Sequence, residues 1–466
     1  MRYILSAILI IFLTGCVHTY SEKEVSAKYN LPQAFRNQSY INELNDNKTI
    51  SEYKDPFAEM KAMLPDDDFI KVLDIASKEN PDLLILISKV KRARYQVKSA
   101  TGAMIPSVSG SLDYSYSDNN DGLNGNLNLS WEVDIYGKLD ALRKSQKELV
   151  KYASENYVNG QVTLSADTAT YYFSLRKSAA QVQFATQMVE NYKEILDIYK
   201  QMRSIGLVDE TQYIETTMDY LTAQNNLQKY TQEAEQNKNA LYALINNKEI
   251  NIATDLVYDT SFAPHIPQIN NIPTQVILNR PDVRAAVYTL NSELYNHYNR
   301  KMSLLPSLSI SGNIGKLLAS SNGVTDLVWQ IASSLTAPLL NRQELYAQLK
   351  IQEETVYQSE QSLQKYINTA ISDIENASYI MTSSNKSYNN TKDILENAKS
   401  SMEILKSRWE SGIIDDLEYL MAQNDFLNTF ISFYNAWYEN ISSSIMLYKS
   451  FGGSFSAKNN NGGDNL

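Results

Sequence analysis

Hydrophobic residues recur every seven positions along two long stretches of the chain. In residues 138–247 this seam runs through Leu175, Val182, Val189 and Leu196. A seven-residue repeat averages about 3.5 residues per turn, which is typical of helices that pack side by side as a coiled coil. The stretch contains no proline and only two glycines, Gly160 and Gly206. It therefore predicts two long helices joined by a turn near Gly206.

A second stretch, residues 341–451, repeats this design. Its seam runs through Ile367, Ile374, Met381, Tyr388, Leu395, Met402 and Trp409. Because this stretch has no proline and a single glycine, Gly412, we expect a second helix hairpin that turns there. At about 1.5 Å per residue, an arm such as residues 138–203 would be roughly 100 Å long, which no compact domain needs.

The period changes to two just before each helix hairpin. Apolar residues alternate with serine, asparagine, glutamine and acidic residues in residues 106–136 and again in residues 306–338. Each region contains strand-like runs of about eleven residues, close to the length of a strand that crosses a membrane. One apolar face and one polar face is the pattern of a transmembrane β-barrel. The sequence therefore predicts four strands in two β-hairpins.

Short motifs recur at a spacing of 200 residues. Asn-Pro-Asp at residues 80–82 is matched by Arg-Pro-Asp at 280–282, and Pro-Ser at 106–107 is matched at 306–307. The order of helix, β-hairpin and helix hairpin thus occurs twice, which indicates tandem repeats. The predicted parts are repeat 1 at residues 66–247, a connector at 248–273, repeat 2 at 274–453 and a disordered tail at 454–466.

The N-terminal residues have the features of a processing signal. Residues 1–15 contain a short apolar run, which ends in Leu-Thr-Gly before Cys16, the only cysteine of the chain. This resembles the lipoprotein box of bacteria, in which the cysteine becomes the mature N-terminus and carries a lipid. An ordinary secretory signal with a chance cysteine is the alternative. Residues 16–65 are polar and show no period, so we expect an extended, lipid-anchored tether.

Charge and composition exclude several classes of function. A formal charge of −11 argues against a nucleic-acid partner. The three histidines have no metal-ligand or catalytic spacing, and no phosphate-binding loop or nucleophile motif occurs. We therefore expect no enzyme activity, no metal site and no cofactor other than the covalent lipid on Cys16.

Four membrane strands cannot close a barrel, because an open edge would leave backbone groups unpaired in lipid. Two chains would supply eight strands around a filled interior, and three would supply twelve around an open one. Sequence alone leaves the count open, but a homotrimer is the economical solution. The expected fold class is mainly α with a small β part: a trimeric 12-stranded β-barrel continued by a helical barrel of 12 strands.

Taken together, these motifs resemble the TolC-type outer-membrane efflux proteins, in their NodT-like lipoprotein branch. The two hairpin turns add to the resemblance, with RSIGLVD at residues 203–209 and RWESGIID at 408–415. The resemblance implies a passive trimeric exit duct in the outer membrane that extends into the periplasm. A periplasmic adaptor and an inner-membrane transporter would be its partners, and drugs or metal ions its cargo. Two alternatives remain: the channel of a type I protein secretion system, and a coiled-coil surface lipoprotein that forms no channel.

The resemblance also assigns roles to the two hairpin turns. It implies that the adaptor docks there, on Gly206, Leu207, Gly412 and Ile413. The arginines Arg203 and Arg408 are further candidates, although they lie three and four residues before their glycines. The acids after the second turn, Asp415, Asp416 and Glu418, would narrow a closed periplasmic gate. Acids that simply favour a helix N-terminus are the alternative for these three.

The strands supply the remaining candidates. We expect the acids of the polar face to line the lumen and to bias it toward cations; these are Asp113, Glu132 and Asp134. Aromatic residues near strand ends are typical of the membrane–water interface. The predicted interfacial set is Tyr114, Tyr116, Trp131, Tyr136 and Trp329. Hydration of a wide pore and ordinary packing are the respective alternatives.

Overall fold

The computed structural model describes residues 17–32, 34, 55–117, 120–246, 262–265, 273–320, 328–338 and 341–455. Cys16 and the signal segment lie outside these residues, as do most of the connector and all of the tail after residue 455. No helix in the described ranges combines the length and the apolar character needed to cross a membrane.

Long helices dominate the described residues, and one small sheet accompanies them. In chain order the elements are α1 (Glu22–Lys28), α2 (Pro56–Met63), α3 (Asp67–Glu79), α4 (Pro81–Gly102), β1 (Ser107–Ser117), β2 (Asn120–Val133), α5 (Lys138–Ser204), α6 (Glu210–Leu244), α7 (Pro273–Asn279), α8 (Pro281–Met302), β3 (Ser307–Ser320), β4 (Val328–Thr336), α9 (Arg342–Glu410) and α10 (Asp416–Ser450). The order α4-β1-β2-α5-α6 recurs as α8-β3-β4-α9-α10. The fold is therefore mainly helical with a small sheet, as the sequence predicts.

The described residues divide into two compact units. The first lies within Met1–Asn30, Leu86–Tyr157 and Pro281–Asn368, and the second within Leu31–Ile85, Val158–Arg280 and Thr369–Leu466.

All four strands belong to the first unit and form one antiparallel sheet in the order β1-β2-β3-β4. The central pairing joins β2 to β3, and so connects the two sequence repeats through backbone hydrogen bonds. Near Leu123 and Asn124 the register of this pair shifts by a bulge. Among the described residues, the outer strands β1 and β4 are each paired on one side only.

The N-terminal segment is not the extended tether that the sequence predicts. Helix α1 begins with a capping box in which Ser21 and Glu24 bond each other's backbone N–H groups. Val25 is fully buried, and Lys28 Nζ lies 2.7 Å from Glu360 Oε1 on α9. The prediction was wrong here because a seven-residue helix is too short to show a period, and because its partners are remote in sequence.

In the second unit, α2 also interrupts the predicted tether. Its residues Phe57, Met60 and Met63 are buried, so this part of the N-terminal region contributes to the hydrophobic core. The backbone N–H of His265 donates to the carbonyl of Met63 at 2.8 Å, and so a described part of the connector lies against the end of α2.

An aromatic cluster forms the centre of the second unit. The rings of Tyr172 and Phe173 lie 5.1 Å apart, and Trp437 of α10 lies 5.9 Å from Phe173. Asp66, which caps the N-terminus of α3, accepts a 2.8 Å hydrogen bond from the Tyr172 hydroxyl and pairs with Arg176. Burial raises the pKa of Tyr172 and the charge of Asp66 raises it further, so the hydroxyl remains a hydrogen-bond donor.

The seven-residue seam is buried over only part of each long helix: Leu175 of α5 is buried, whereas Met402 of α9 is half-buried and Trp409 is 36% exposed. On α9 of the second unit, Ile374, Met381, Tyr388 and Leu395 are buried. On α5 the predicted positions Val182, Val189 and Leu196 are only half-buried, and the buried positions lie one residue earlier, at Gln181, Met188 and Ile195. The buried stripe includes polar residues, and a search for hydrophobic positions does not detect these. Gln181 Nε2 donates to Asn435 Oδ1 at 2.9 Å, and so its amide has a partner on α10.

The duplicated motifs before the prolines join helix ends in the second unit. Asn80 Nδ2 donates to the carbonyl of Leu244, the last residue of α6, at 3.0 Å. Arg280 Nη1 donates to the carbonyl of Ser450, the last residue of α10, at 2.9 Å. Both side chains satisfy carbonyls that a helix C-terminus leaves without a partner. The motifs thus bring the end of each helix hairpin to the residue before α4 or α8.

Candidate functional site: a two-faced sheet and two helix turns

The sheet of the first unit has one continuous apolar face. Across the strands, Val108 pairs with Leu129, Trp131 with Ile310, and Leu308 with Leu335. Because paired residues point to the same side of a sheet, these rows run across strand boundaries, and the row of Trp131 and Ile310 ends at Ser333 on β4. The register therefore joins the apolar positions of both sequence repeats into one surface.

This apolar face is exposed in the single chain. The exposed fraction is 72% for Leu112, 77% for Tyr116 and 70% for Ile331. Each square ångström of apolar surface left in water costs about 25 cal/mol, so water-soluble chains rarely expose so large a patch. The sheet is therefore suited to an apolar environment on this side.

The aromatic candidates lie at both ends of the strands. Tyr114, Tyr116 and Trp329 lie near the hairpin loops, and all three are exposed. Trp131 lies near the helical end, where its Nε1 donates to the carbonyl of Met104 at 3.0 Å. Tyr136 follows β2, and its carbonyl accepts a 3.0 Å bond from the Tyr298 hydroxyl. The five residues thus form a loop-end set and a helix-end set.

The opposite face of the sheet is polar and internally hydrogen-bonded. Asn313 Nδ2 on β3 donates to Asn128 Oδ1 on β2 at 2.6 Å. The Asp113 carboxylate accepts from Ser111 at 3.1 Å and from Asn126 at 3.4 Å. The face therefore carries wettable groups whose orientations are fixed by their neighbours.

Two of the three predicted lumen acids are engaged where the sheet ends. Glu132 lies 2.5 Å from Lys138, the first residue of α5. Asp134 lies beyond the end of β2, and its carboxylate accepts from the backbone N–H groups of Leu139 and Asp140 at 3.0 and 2.8 Å. Asp134 therefore caps a helix, where the dipole favours an acid, and is not a strand residue as the alternation predicts.

A cavity of about 550 Å³ opens where the strands meet the helices. Its lining includes the ion pair of Glu132 and Lys138 and the apolar residues Met302, Leu305 and Leu345. No cluster of three or more His, Cys, Asp or Glu residues within the described ranges could hold a metal ion.

The second unit contains the two helix turns. In the first, Gly206 has φ +76°, a left-handed conformation that glycine adopts without strain. The N–H of Leu207 donates to the carbonyl of Met202, and that of Gly206 to Arg203, at 2.9 and 3.0 Å. This is a Schellman ending of α5. Asp209 then caps α6 and accepts from the N–H of Gln212 at 2.8 Å.

The second turn has the same backbone design. Gly412 has φ +71°, and the N–H of Ile413 donates to the carbonyl of Arg408 at 2.9 Å. Asp415 caps α10 by accepting from the N–H of Glu418 at 2.8 Å. Leu207 and Ile413 occupy the same position after their glycines and are 67% and 72% exposed. Each turn therefore exposes an apolar side chain at this position, and the first turn also exposes Ile205, at 71%.

The hydrogen bonds decide which residues of the two turns correspond. The Schellman bond that reaches Met202 in the first turn reaches Arg408 in the second. The residue equivalent to Arg203 is therefore Trp409. Arg203 and Arg408, which lie three and four residues before their glycines, therefore do not occupy equivalent positions.

The three acids after the second turn have different surroundings. Asp415 is the helix cap, and Asp416 Oδ1 accepts from Trp409 Nε1 at 2.7 Å. Glu418 corresponds to Gln212, whose side chain reaches back to the N–H of Asp209 to complete a capping box. The second turn has no such box, and Glu418 is exposed. Of the predicted gate acids, Glu418 is thus the one that neither caps the helix nor bonds Trp409.

Sequence reasoning missed the contacts of Trp409, Asp416 and Tyr419. The ring of Trp409 stacks on Tyr419 at a centroid distance of 4.5 Å. Aligned on their glycines, the two turns match these residues to Arg203, Glu210 and Tyr213, but such a match does not by itself predict a contact.

Comparison with known proteins assigns the family. The family model described as outer membrane efflux protein matches residues 72–247 and again 272–453. The chain belongs to the outer membrane efflux protein family. The two matched segments correspond to the two successions of helix, hairpin and helix pair. The predicted family, the outer-membrane location and the role as an efflux channel are therefore confirmed, and the non-channel lipoprotein is no longer a competing interpretation.

Members of this family resemble the chain over most of its length. The solvent efflux pump outer membrane protein SrpC of Pseudomonas putida is 24% identical over 423 residues, which cover 86% of this chain and 88% of SrpC. The probable outer membrane lipoprotein SilC of Salmonella typhimurium is 21% identical over 97% of this chain and 98% of its own. The open-state structure of the Neisseria gonorrhoeae MtrE outer membrane channel matches with a TM-score of 0.75 and 19% identity, covering 94% of this chain and 98% of MtrE. At this identity the structural match shows the fold alone.

Proposed function

We propose that three copies of the chain form the exit duct of a tripartite efflux pump. The observation that carries this proposal is the four-stranded sheet, which has an exposed apolar face, a polar face and two edges, β1 and β4. An edge in lipid would leave backbone N–H and C=O groups unpaired at a cost of several kcal/mol each. Pairing β4 of one copy with β1 of the next removes every edge, and three copies give a twelve-stranded barrel around a polar lumen.

The test is the oligomeric state together with conductance. The purified protein should have the mass of three chains and should conduct ions across a planar bilayer. A chain that stays monomeric and does not conduct would contradict the proposal. Dimers that conduct poorly would point instead to a filled eight-stranded barrel.

The turns of the helix hairpins are the proposed docking points for a periplasmic adaptor, with an inner-membrane transporter behind it. Support comes from Leu207 and Ile413, which are exposed apolar side chains held on hydrogen-bonded backbone turns. Replacing Leu207 or Ile413 by arginine should abolish export in cells without changing the yield of trimer. Unchanged export by both variants would contradict docking at the turns.

Glu418 is the proposed gate acid. Its equivalent in the first turn is Gln212, so the second turn places a carboxylate where the first has an amide. Three such carboxylates brought together would attract multivalent cations. Glu418→Gln should weaken the block of single channels by multivalent cations, whereas the control Glu410→Gln, at the end of α9, should leave it unchanged. Equal block in both variants would exclude the gate role.

We further propose that Cys16 carries the lipid and that the cargo consists of small toxic compounds, drugs or metal ions. SilC is named a lipoprotein, and SrpC belongs to a solvent efflux pump. A deletion strain should become susceptible to antibiotics, solvents or metal salts and should keep its secreted proteins. Loss of a secreted protein with unchanged susceptibility would favour the type I secretion alternative.

A further inference from the structure

The two helix turns contain a matching side-chain contact that their backbone does not require. In each, the residue three positions before the glycine contacts the first residue of the following helix and a tyrosine three positions further on. In the first turn these residues are Arg203, Glu210 and Tyr213, and in the second they are Trp409, Asp416 and Tyr419. All three pairs are separated by 206 positions. We call each set a latch.

The first latch is ionic. Arg203 Nη2 lies 2.6 Å from Glu210 Oε2, and the guanidinium carbon lies 4.7 Å from the centre of the Tyr213 ring. The side chains of Arg203 and Glu210 are 44% and 57% exposed. Salt therefore screens their attraction, because water and ions reach both charged groups.

The second latch is aromatic. The Trp409 and Tyr419 rings lie 7° from parallel, with their centres 4.5 Å apart. Trp409 Nε1 donates to Asp416 Oδ1 at 2.7 Å. Stacking and burial of ring surface do not depend on a pair of opposite charges, so added salt leaves this contact in place.

We propose that Arg203 and Trp409 are positioning residues: each holds its turn in the shape that presents Leu207 or Ile413 to the adaptor. This proposal rests on the docking of an adaptor at the turns. The two latches differ in chemistry, so the first turn is compliant and sensitive to ionic strength, whereas the second is rigid. The adaptor thus meets one adjustable and one fixed contact in every copy of the chain.

Amide hydrogen exchange of the purified full chain in detergent tests the latches without any adaptor. The amides to follow are those of Leu207 and Ile413, which donate the Schellman bonds of the two turns. Between 50 mM and 1 M NaCl we expect exchange at Leu207 to accelerate about threefold, the size expected for a weakened surface ion pair, and exchange at Ile413 to stay constant. An equal response of the two amides would overturn the proposed difference.

Variants distinguish the local effect of the latch from a change in the overall stability of the protein. Arg203→Ala should accelerate exchange at Leu207 and remove its dependence on salt. The double variant Arg203→Trp with Glu210→Asp gives the first turn the side chains of the second, and we call it the exchanged latch. It should restore slow amide hydrogen exchange at Leu207 that no longer depends on salt, because Tyr213 is already in place for stacking. The proposal fails if the exchanged latch behaves like Arg203→Ala.

Export in cells tests the positioning role. In a strain with its own pump and adaptor, Arg203→Ala should lower resistance in an antibiotic and metal panel, and the exchanged latch should restore it. If Leu207→Arg abolishes resistance while Arg203→Ala leaves it unchanged, docking stands and positioning by the latch is overturned. If neither Leu207→Arg nor Ile413→Arg alters resistance, docking at the turns is itself wrong, whatever the exchange rates show.

Discussion

The helical second unit has a core of buried apolar side chains, whereas the sheet of the first unit exposes its apolar side chains. Phe433 and Trp437 of α10 are 0% and 2% exposed. On the sheet, Leu112 and Ile331 are at least 70% exposed although their alternation is just as regular. Around Phe433 and Trp437 the helix pattern is satisfied within one chain, because the helices that bury these rings belong to the same unit. The sheet pattern has no partner layer within the described residues, and so we infer that lipid and further copies complete it.

The largest effect should come from the helical core. Phe433→Ala removes a fully buried ring and should lower the free energy of unfolding by about 3–5 kcal/mol. The matched sheet variant, Leu112→Ala, should cost less than about 1 kcal/mol in detergent, because it removes little buried surface. Chemical denaturation of both proteins in the same micelles measures the difference. Equal losses would mean that the sheet side chain is packed like a core residue.

A charge on the sheet should reveal which face meets lipid. Leu112→Arg should destabilise the protein in liposomes by about 2–4 kcal/mol, the cost of a cation on the lipid side of a barrel. Ser111→Arg, on the neighbouring polar face, is the control and should be tolerated. Denaturant titration of both variants in vesicles measures the two losses of stability. A larger loss for Ser111→Arg than for Leu112→Arg would contradict the assignment of the lipid-facing side.

A smaller effect concerns pH at the start of α5. Partial burial opposes ionisation of Asp140, but hydrogen bonds from Lys144 and Arg143 outweigh it and hold the pKa of Asp140 below its ordinary value of 3.8. A lowered folded-state pKa stabilises the protein above about pH 4, and this contribution disappears as the pH falls through the lowered value. Asp140→Asn should therefore cost less than about 1 kcal/mol at pH 7 and nothing below the folded-state pKa. Thermal unfolding of the unchanged protein and of Asp140→Asn, at pH 7 and at a pH below the folded-state pKa, measures the two differences in stability. An equal difference at both pH values would contradict the expectation.

The sequence was most informative where one period runs without interruption. Helix α5 begins at Lys138, where the predicted stretch without proline begins, and it continues through Gly160 to Ser204. The alternation also places Leu129 and Ile310 on one face of the sheet. The pairs of Leu129 with Val108 and of Ile310 with Trp131 lie away from the bulge at Leu123 and Asn124, so the alternation stays regular there. Regular local patterns of this kind reflect local geometry and can be interpreted without knowing the fold.

The sequence was least informative where a residue's partner lies far along the chain. Helix α1 depends on Glu360, and Gln181 occupies a buried position because Asn435 accepts its amide. Asp134 continues the alternation of β2 but caps α5, because the strand has already ended at Val133. Trp409 matches Arg203 by backbone hydrogen bonds and not by side-chain type. None of these contacts leaves a periodic trace in the sequence.

Cross-linking of the sheet edges tests the central claim most directly. Cysteines would be placed along β1 and β4, with the same number on β2 and β3 as the control. Pairs across β1 and β4 should give covalent species of two and three chains and none larger, while the β2 and β3 control gives no cross-links between chains. Cross-links that stop at two chains, continue beyond three or form equally well in the control would contradict a barrel closed by three copies.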